Sequence, residues 1–583
     1  MTIPRRRPRA GDNWGRAFLK RGPTFILLEP SMRHRLRTVL SFAAALLGAA
    51  SPGAVAAAER ERPNFLIIVA DDLGYSDIGA FGGEIATPNL DAIANGGTKL
   101  TGFHTAPTCS PTRSMLLTGT DNHKAGLGSM AELLAPNQKD QPGYEGYLRG
   151  DVASLAELLG ASGYRTLFSG KWHLGLAPSQ DPHARGFQHS FALLQGGHNH
   201  FGKNLSTDPA KGFTYTRDGK ILTGLPANFY SSDYFASQLI EQLNQGAKAK
   251  GEKMPFFAYL TFTAPHWPLQ APREDIARYK GRYDAGFDEL RAQRLKRQAE
   301  LGLIDPAVAA HVPILKQGSW DSLTAEQRRT AARDMEIYAA MIDRMDQNVG
   351  RVIQALKRNG DYDNTVIVFL SDNGAEGMDV ENGQLPQIRQ AVQTADNSID
   401  NRGNASSYVG IGPGWAQAAT APSWLYKAYA TEGGTHTVAF TGYRGFTRKG
   451  VAPGFTHVTD IVPTLLDLAH VPQPGTRFQG RAVAPIRGRS WVPYLTQSAS
   501  LVHSGDESIG TELFGSRSLR QGDWKIMDLG DGVWRLFDVA RDPGETQDLS
   551  LAQADRKAKL IAAWEVYAKD VGVILPDQQL YRP

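Results

Sequence analysis

Short apolar runs of strand length, each followed at once by polar residues, constrain the fold of this chain more than any other feature. The first run reads NFLIIVA over residues 64–70 and stops at two aspartates. A continuous, β-branched run of this kind predicts a central strand buried on both faces. Similar runs occupy 166–169, 256–263 and 365–370, and apolar residues recur at helical spacing between the last two, over 324–359. Strands that alternate with helices predict an α/β fold with a mostly parallel sheet between layers of helices.

The pattern changes after about residue 500, where short strand-like pieces are separated by glycine and aspartate and followed by a helical stretch over 552–570. This predicts a small antiparallel sheet with one helix. We therefore expect a targeting segment at 1–58, a large α/β domain at 59–500 and a small antiparallel-sheet subdomain at 501–583. The strand-like pieces are 511–514, 516–519, 524–527 and 534–538.

The charge of the chain is distributed unevenly. The formal net charge is +4, but residues 1–58 hold ten lysines and arginines against two acidic residues, which gives +8. The rest of the chain therefore carries −4. A mildly acidic folded part lacks the basic excess of nucleic-acid-binding proteins, so we expect no nucleic acid as a partner.

The N-terminal segment has the pattern of a secretory signal. Met32 is followed by three arginines, by an apolar run over 39–50 and by small residues at 54–58. This order predicts a signal peptide at 32–58 and a protein that is periplasmic or secreted. The apolar run has about a dozen residues, fewer than the roughly 20 that span a bilayer, so we expect no stable membrane anchor.

Polar side chains follow four of the predicted strands. Taken singly, such residues are most often turn, cap or packed residues. Because ligands of an open α/β sheet bind beyond the carboxyl ends of its strands, we expect these side chains to converge. The carboxylate and amide oxygens among them predict a hard cation, Ca²⁺ or Mg²⁺, and not Zn²⁺. The residues are Asp71 and Asp72, Lys171 and His173, His266, and Asp372 and Asn373.

The single cysteine of the chain, Cys109, excludes an intramolecular disulfide and lies at the start of a predicted short helix. Ser110 can serve as the N-cap, Pro111 suits the first helical position, and Gly119 can end the helix. The free N–H groups at the helix start favour an anion, and Arg113 adds a planar, two-pronged donor. The segment therefore predicts an oxyanion site, although a lone thiol is more often a small apolar core residue.

The residues CSPTR at 109–113, followed by LTG at 117–119, resemble the core motif of the type I sulfatases. Other segments resemble the same family over most of the chain from residue 62 onward, with the greatest likeness to bacterial arylsulfatases. The resemblance implies an alkaline-phosphatase-like α/β fold and a sulfuric-ester hydrolase of the arylsulfatase type. The further segments are 64–72, 170–173, 264–268, 371–374, 425–434, 512–515, 536–538 and 542–545.

The resemblance also implies a modified residue and a metal. Cys109 would be converted after translation to formylglycine by a formylglycine-generating enzyme, and the hydrated aldehyde would attack the sulfur of a small-molecule sulfate ester. A sulfated serine has no second hydroxyl with which to expel the sulfate, whereas a geminal diol does. Calcium, with magnesium as the other option, would assist the attack. Its ligands would be Asp71, Asp72, Asp372, Asn373 and the modified Cys109.

Five further residues receive roles from the same resemblance. Arg113, Lys171 and Lys427 would hold and neutralise the sulfate oxygens. His266, together with Lys427, would protonate the departing alcohol. His173 would take the proton of the second hydroxyl, which releases sulfate and restores the aldehyde.

Two alternatives to a sulfuric-ester hydrolase stay open at this point. A phosphomonoester or phosphonate-ester hydrolase of the same fold would bind similar tetrahedral oxyanions. A non-catalytic exported protein would keep Cys109 as a thiol and use the acidic cluster as a structural calcium site. Trp267, Tyr426 and the loops 186–227 and 376–419 are candidates for lining the leaving-group pocket, but aromatic residues suit aryl, steroid and sugar substrates alike.

Overall fold

A ten-stranded mixed sheet forms the centre of the protein, in a computed structural model that describes residues 62–247, 253–313, 315, 318–382 and 386–578. The strands are β1 (Asn64–Ala70), β2 (Thr98–His104), β3 (Arg165–Lys171), β4 (His189–Leu193), β5 (Tyr215–Arg217), β6 (Lys220–Ile221), β7 (Phe256–Thr261), β8 (Thr365–Ser371), β9 (Ala439–Gly442) and β10 (Gly450–His457). They lie in the order β10-β2-β9-β8-β1-β7-β3-β4-β5-β6. The five from β8 to β4 are parallel, whereas β9 and β5 run antiparallel to their neighbours.

Helices lie between the strands and after them. In the described part of the chain they are α1 (Pro88–Gly96), α2 (Cys109–Thr118), α3 (Asn122–Ala125), α4 (Leu155–Ala161), α5 (Ser231–Ala247), α6 (Arg273–Ala277), α7 (Gly286–Glu300), α8 (Ala325–Arg358), α9 (Pro386–Thr394), α10 (Gly412–Ala419), α11 (Glu432–Thr435), α12 (Ile461–Leu468), α13 (Val492–Leu495) and α14 (Ala554–Val571).

Both faces of the central strand β1 are buried. Leu66 and Ile68 belong to an apolar cluster that also contains residues of α1, α5 and α8, whereas Phe65 and Ile67 belong to a second cluster with residues of α2, α4 and α12. Successive side chains of a strand point to opposite faces, so a continuous apolar run is required where helices cover both. The predicted α/β fold, a mostly parallel sheet between helices, is confirmed.

The long helix predicted over 324–359 is α8. Thr324 precedes it as the N-cap: its hydroxyl accepts a hydrogen bond from the Gln327 N–H, and the Gln327 side chain accepts one from the Thr324 N–H. This capping box satisfies two backbone donors that the start of a helix would otherwise leave unpaired.

The predicted C-terminal antiparallel sheet and its helix are also confirmed. Leu560 and Trp564 of α14 pack against Leu519 and Ile526 of the sheet. The division of the chain at residue 500 stays a prediction. The four strands are consecutive antiparallel neighbours, β13 (Ser508–Leu513), β14 (Ser516–Gln521), β15 (Trp524–Asp528) and β16 (Arg535–Asp538), and a separate hairpin is formed by β11 (Arg477–Phe478) and β12 (Arg481–Ala482).

The predicted targeting segment at 1–58, with its signal peptide at 32–58, lies outside the described residues. Within the described ranges, the helices are too short or too polar to cross a bilayer.

A buried histidine joins the C-terminal sheet and helix to the rest of the protein. His123 of α3 lies between two carboxylates, with Nδ1 2.9 Å from Asp121 Oδ1 and Nε2 3.5 Å from Glu512 Oε2. Tyr567 of α14 donates a hydrogen bond of 2.7 Å to the other oxygen of Asp121. Burial lowers the pKa of His123, but the hydrogen bonds to the two carboxylates outweigh it and raise the pKa to about 9. The imidazole is therefore charged at neutral pH.

We expect His123→Gln to lower the stability of the protein in a pH-dependent way. A pKa raised from 6.5 to about 9 stabilises the folded state by about 3 kcal/mol below pH 6.5, and this contribution is lost as the pH rises through about 9. The difference in Tm between wild type and variant should therefore narrow from about pH 6 to about pH 9.5. His470→Gln, at an exposed histidine, is the control. A Tm difference that does not change with pH would contradict the charged state of His123.

Candidate active site

The carboxyl ends of β1, β3 and β8 bring polar side chains into one buried site. Asp71 and Asp72 follow β1, Lys171 ends β3, and Asp372 follows β8. None of these four residues has more than 1% of its surface exposed. They meet because β8, β1, β7 and β3 are parallel neighbours whose last residues lie at the same edge of the sheet.

Three cationic side chains neutralise the three carboxylates pairwise. Each cation lies at least 100 residues away from its acidic partner in sequence, so these contacts exist only in the folded chain. A buried charge without a partner would cost several kcal/mol, whereas in these pairs the formal charges cancel. The pairs and the distances between their charged atoms are Lys171–Asp71 (2.7 Å), Lys427–Asp72 (2.8 Å) and Arg113–Asp372 (2.7 Å).

The pKa values of two carboxylates respond differently to this pairing. Burial alone would raise the pKa of Asp72, but the charges of Lys427, His266 and Lys171 lower it to about 2. For Asp372, burial and the neighbouring Asp71 outweigh the nearby cations, and its pKa is raised. Further positive charge in the site would therefore favour the ionised form of Asp372.

Cys109 lies in the first turn of α2, fully buried, with its Sγ 4.0 Å from Asp72 Oδ1. The helix begins at Cys109 itself with Thr108 as the N-cap, so the prediction of Ser110 as N-cap was wrong. Burial raises the pKa of the thiol well above its usual value, although Lys171 and Lys427 act in the opposite direction. The thiol is therefore protonated at neutral pH, and a protonated thiol is neither a strong nucleophile nor a good metal ligand.

The donor atoms around Cys109 fit a divalent cation. The candidate ligand atoms of Asp71, Asp72, Cys109 and His266 all lie within 4.8 Å of one another. Asn373 donates a hydrogen bond of 2.7 Å from Nδ2 to Asp72 Oδ1, while its own Oδ1 is buried with no hydrogen-bond partner among the described residues. A buried oxygen without a donor beside several carboxylates suits a hard cation, because such a cation takes oxygen ligands.

The two predicted catalytic histidines lie at the mouth of this site in different settings. His266 Nε2 is 3.6 Å from Asp72 Oδ2, and its Nδ1 lies against the carbonyl of Trp267. Burial lowers the pKa of His266 to about 3 despite the attraction of Asp72. His173 Nε2 is 2.9 Å from Glu132 Oε1, and its Nδ1 is buried without a partner among the described residues. Because Nε2 of His173 lies against the Glu132 carboxylate, Nδ1 is the nitrogen that is free to accept a proton.

Two residues of the site, Glu132 and Glu376, were given no individual role from the sequence. Glu132 lies in a short turn, and nothing in its surrounding sequence links it to His173. Glu376 is buried, with its Oε2 3.2 Å from Lys427 Nζ. Its position three residues after Asn373 was a signal that could have been used, because a side chain close to a site residue in sequence often enters the same site.

A pocket of about 210 Å³ opens above the two histidines and Lys427. Trp267 lines it as predicted, whereas Tyr426 packs against Tyr429 instead, with ring centroids 5.6 Å apart. The indole N–H of Trp267 is buried without a partner among the described residues. The surface that the pocket exposes is largely apolar, although Gln195, His198 and Asn199 also line it. Its apolar lining residues are Met130, Leu133, Phe213, Trp267, Pro268, Ile388 and Tyr408.

Comparison with known proteins defines the class of this chain. Residues 63–471 match the family model of the sulfatases, so the chain belongs to the sulfatase family, and the resemblance drawn from the sequence is confirmed. It is a sulfuric-ester hydrolase, and the alternative of a non-catalytic binding protein is not supported.

Individual relatives show how similar the chain is to known sulfatases. The chain is 48% identical to an uncharacterized sulfatase of Schizosaccharomyces pombe, over 89% of this chain and 95% of that one. It is 41% identical to the arylsulfatase of Klebsiella aerogenes, over 75% and 93% of the two chains. A crystal structure of Ps i-CgsB in complex with k-i-k-neocarrahexaose matches with a TM-score of 0.62 and 23% identity, over 89% and 94% of the chains, and this likeness concerns the fold.

We expect Glu132→Ala to lower kcat for 4-nitrophenyl sulfate by about tenfold or more, with a smaller change in KM, because His173 loses the partner that orients its ring. Lys139→Ala, at an exposed position of the same segment, should leave both constants nearly unchanged. Steady-state kinetics of the purified variants provide the test. A wild-type kcat for Glu132→Ala would show that the contact with His173 has no catalytic effect.

Proposed function

We propose that this sulfatase cleaves the S–O bond of small aryl sulfate monoesters by means of a formylglycine made from Cys109 and a bound Ca²⁺. The observation that supports this most is the position of Cys109. It lies at a helix start, beside three carboxylates and three cations, and the preceding residue Thr108 lines a pocket of about 210 Å³. A plain thiol in this place would be protonated and of little use as a nucleophile.

The hydrated formylglycine would supply an oxygen nucleophile at the position now held by sulfur. Asp71, Asp72, Asp372 and Asn373 would hold the Ca²⁺ together with that residue. The ion would add two positive charges to a set of ion pairs that is formally neutral. The charge of the ion would also favour the ionised form of Asp372, whose pKa is raised by burial and by the neighbouring Asp71.

The sulfate group would be held by the cationic side chains of the site. Arg113, Lys171 and Lys427 present their charged groups to the same small region, and each is at least 96% buried. Positive groups fixed in a buried, water-poor site stabilise charge that shifts onto sulfate oxygens and the leaving oxygen during the reaction. Their own carboxylate partners hold them in place before the substrate binds.

Two side chains would donate and accept the protons of the reaction. Lys427, whose pKa is raised well above its usual value by Asp72 and neighbouring groups despite burial, is protonated at neutral pH and could donate to the departing oxygen. His266 lies 3.6 Å from the same carboxylate oxygen of Asp72, but burial lowers its pKa to about 3, so the imidazole is uncharged at neutral pH and Lys427 would be the proton donor without it. His173 would be the base, because Glu132 holds its Nε2 and leaves Nδ1 free.

The lining of the pocket suits an aryl leaving group, among other leaving groups that contain rings. Phe213, Trp267 and Tyr408 offer flat apolar surfaces, and the rings of the latter two lie 5.8 Å apart. A likeness to the arylsulfatase of Klebsiella aerogenes points in the same direction.

We further propose that a formylglycine-generating enzyme is a partner of this chain during maturation. The signal pattern at 32–58 supports export to the periplasm or beyond.

The modification of Cys109 can be read directly by mass spectrometry. We expect the tryptic peptide at 100–113, from protein made in its own host or beside a formylglycine-generating enzyme, to have lost one sulfur and two hydrogens and gained one oxygen. Cys109→Ala should retain the wild-type Tm within a few degrees and lose turnover by at least about a thousandfold. An unmodified thiol in active enzyme, or an active Cys109→Ala variant, would contradict the proposal.

The metal is tested separately. We expect Asp372→Ala to lower the calcium content, measured by elemental analysis. It should also lower kcat by at least about a hundredfold, because a metal ligand and the partner of Arg113 are lost together. Asp346→Ala is the control, since Asp346 is a buried carboxylate that binds the start of α1 and not this site. Unchanged calcium and rate in Asp372→Ala would refute its role.

Preferential hydrolysis of aryl phosphate over aryl sulfate would favour the phosphoester alternative.

A further inference from the structure

The chain segment that carries Lys427 is covered by the C-terminal sheet. We define it as the Lys427 segment, residues 424–435. Trp424 and Tyr429 of this segment belong to one apolar cluster with Met527 and Phe537 of the sheet. The N–H of Ala430 donates a hydrogen bond of 2.9 Å to the hydroxyl of Ser516 on β14. The sheet therefore contacts the segment on both sides of Lys427 in sequence.

A buried lysine of the sheet binds the far end of the same segment. Lys525 Nζ on β15 lies 2.8 Å from Glu432 Oε1 and 2.9 Å from Glu545 Oε1. The N–H of Glu432 donates a hydrogen bond of 2.9 Å to Glu545 Oε2. None of the three residues has more than 3% of its surface exposed. Without the ammonium group, two carboxylates would face each other in the interior, which is strongly unfavourable.

The backbone around Lys427 is strained. Leu425 and Ala428 have φ of +58° and +77°, in the left-handed region that side chains other than glycine disfavour. Each such residue costs of order 1 kcal/mol and persists only where its surroundings determine it. On the active-site side, the N–H of Lys427 donates to the carbonyl of Ala375 at 3.0 Å, and that of Ala428 to Pro107 at 2.8 Å. The segment is thus held between the active site and the C-terminal sheet.

We infer that Lys525 is a positioning residue for catalysis: together with Glu432 and Glu545 it fixes the Lys427 segment so that the ammonium group of Lys427 lies against Asp72 in the active site. The inference rests on the role of Lys427 in the proposed function. It also gives a function to Glu432 and Glu545, which belong to sequence motifs of the resemblance but do not enter the active site. The small C-terminal sheet is then a part of the catalytic machinery and not an appendage.

A double-mutant cycle between the two lysines tests this inference. We expect Lys525→Met to lower kcat/KM for 4-nitrophenyl sulfate by about ten- to a hundredfold in the wild-type background, because a small displacement of a catalytic group has effects of this size. In a Lys427→Met background the same change should lower kcat/KM by less than about threefold, because the residue through which Lys525 acts is already gone. Lys525→Arg, which keeps the charge, should restore most of the activity lost in Lys525→Met.

A second readout does not depend on activity. In Lys525→Met, peptides that cover the Lys427 segment should exchange backbone hydrogen faster than in wild type, while those of the central sheet should not change. Arg517→Met is the matched control, because Arg517 also pairs with a buried carboxylate of this sheet, Asp528 at 2.9 Å. That variant should leave both the exchange of the segment and kcat/KM within about threefold of wild type.

The outcomes separate the inference from the proposed function. If Lys427→Met retains the wild-type rate, the proposed role of Lys427 fails. If Lys427→Met is slow, but Lys525→Met lowers kcat/KM by the same factor in that background as in the wild type, Lys525 does not act through Lys427. The inference is then overturned. Should Lys525→Met fail to fold, Glu545→Gln replaces it in the same cycle, since it keeps the size of the side chain and removes one partner of Lys525.

Discussion

The site depends on three buried ion pairs that must form together. Asp71, Asp72 and Asp372 enter the interior only because three cationic side chains meet them there. Burying charge is unfavourable unless partners and hydrogen bonds replace the lost water, so each pair is tied to the packing that delivers its partner. The parallel strands deliver the carboxylates, and α2 and the Lys427 segment deliver two of the cations. Fold and active site are in this sense stabilised by the same contacts.

How much of this could be predicted from the sequence depends on where each contact arises. The run at 64–70 predicts a strand buried on both faces, and the residues after it are then expected at the sheet edge where parallel neighbours also end. Asp71, Lys171 and Asp372 were therefore identifiable as a group. The pairing of Lys171 with Asp71, by contrast, depends on the distance between two strands separated by β7, which no local pattern specifies.

The residues that sequence analysis missed share one property: each contacts a partner that only the tertiary structure brings close. Glu132 lies in a short turn whose sequence resembles any polar loop, and only the fold places it beside His173. The exact start of α2 was also misjudged, because Pro111 and Ser110 fit the usual helix-start positions. In the structure the helix begins two residues before Pro111, which puts Cys109 into the first turn.

The state of Cys109 connects these points. A thiol at a helix start next to Lys171 and Lys427 would ordinarily ionise readily. Here burial is the larger effect, and the nearby Asp71 and Asp372 add to it, so the pKa rises instead. The same surroundings that keep the thiol protonated are suited to an uncharged oxygen group beside a cation, because the carboxylates can hold the cation and the lysines can hold an oxyanion. A site built in this way makes little chemical use of sulfur, and its arrangement is understandable if the sulfur is removed before the first turnover.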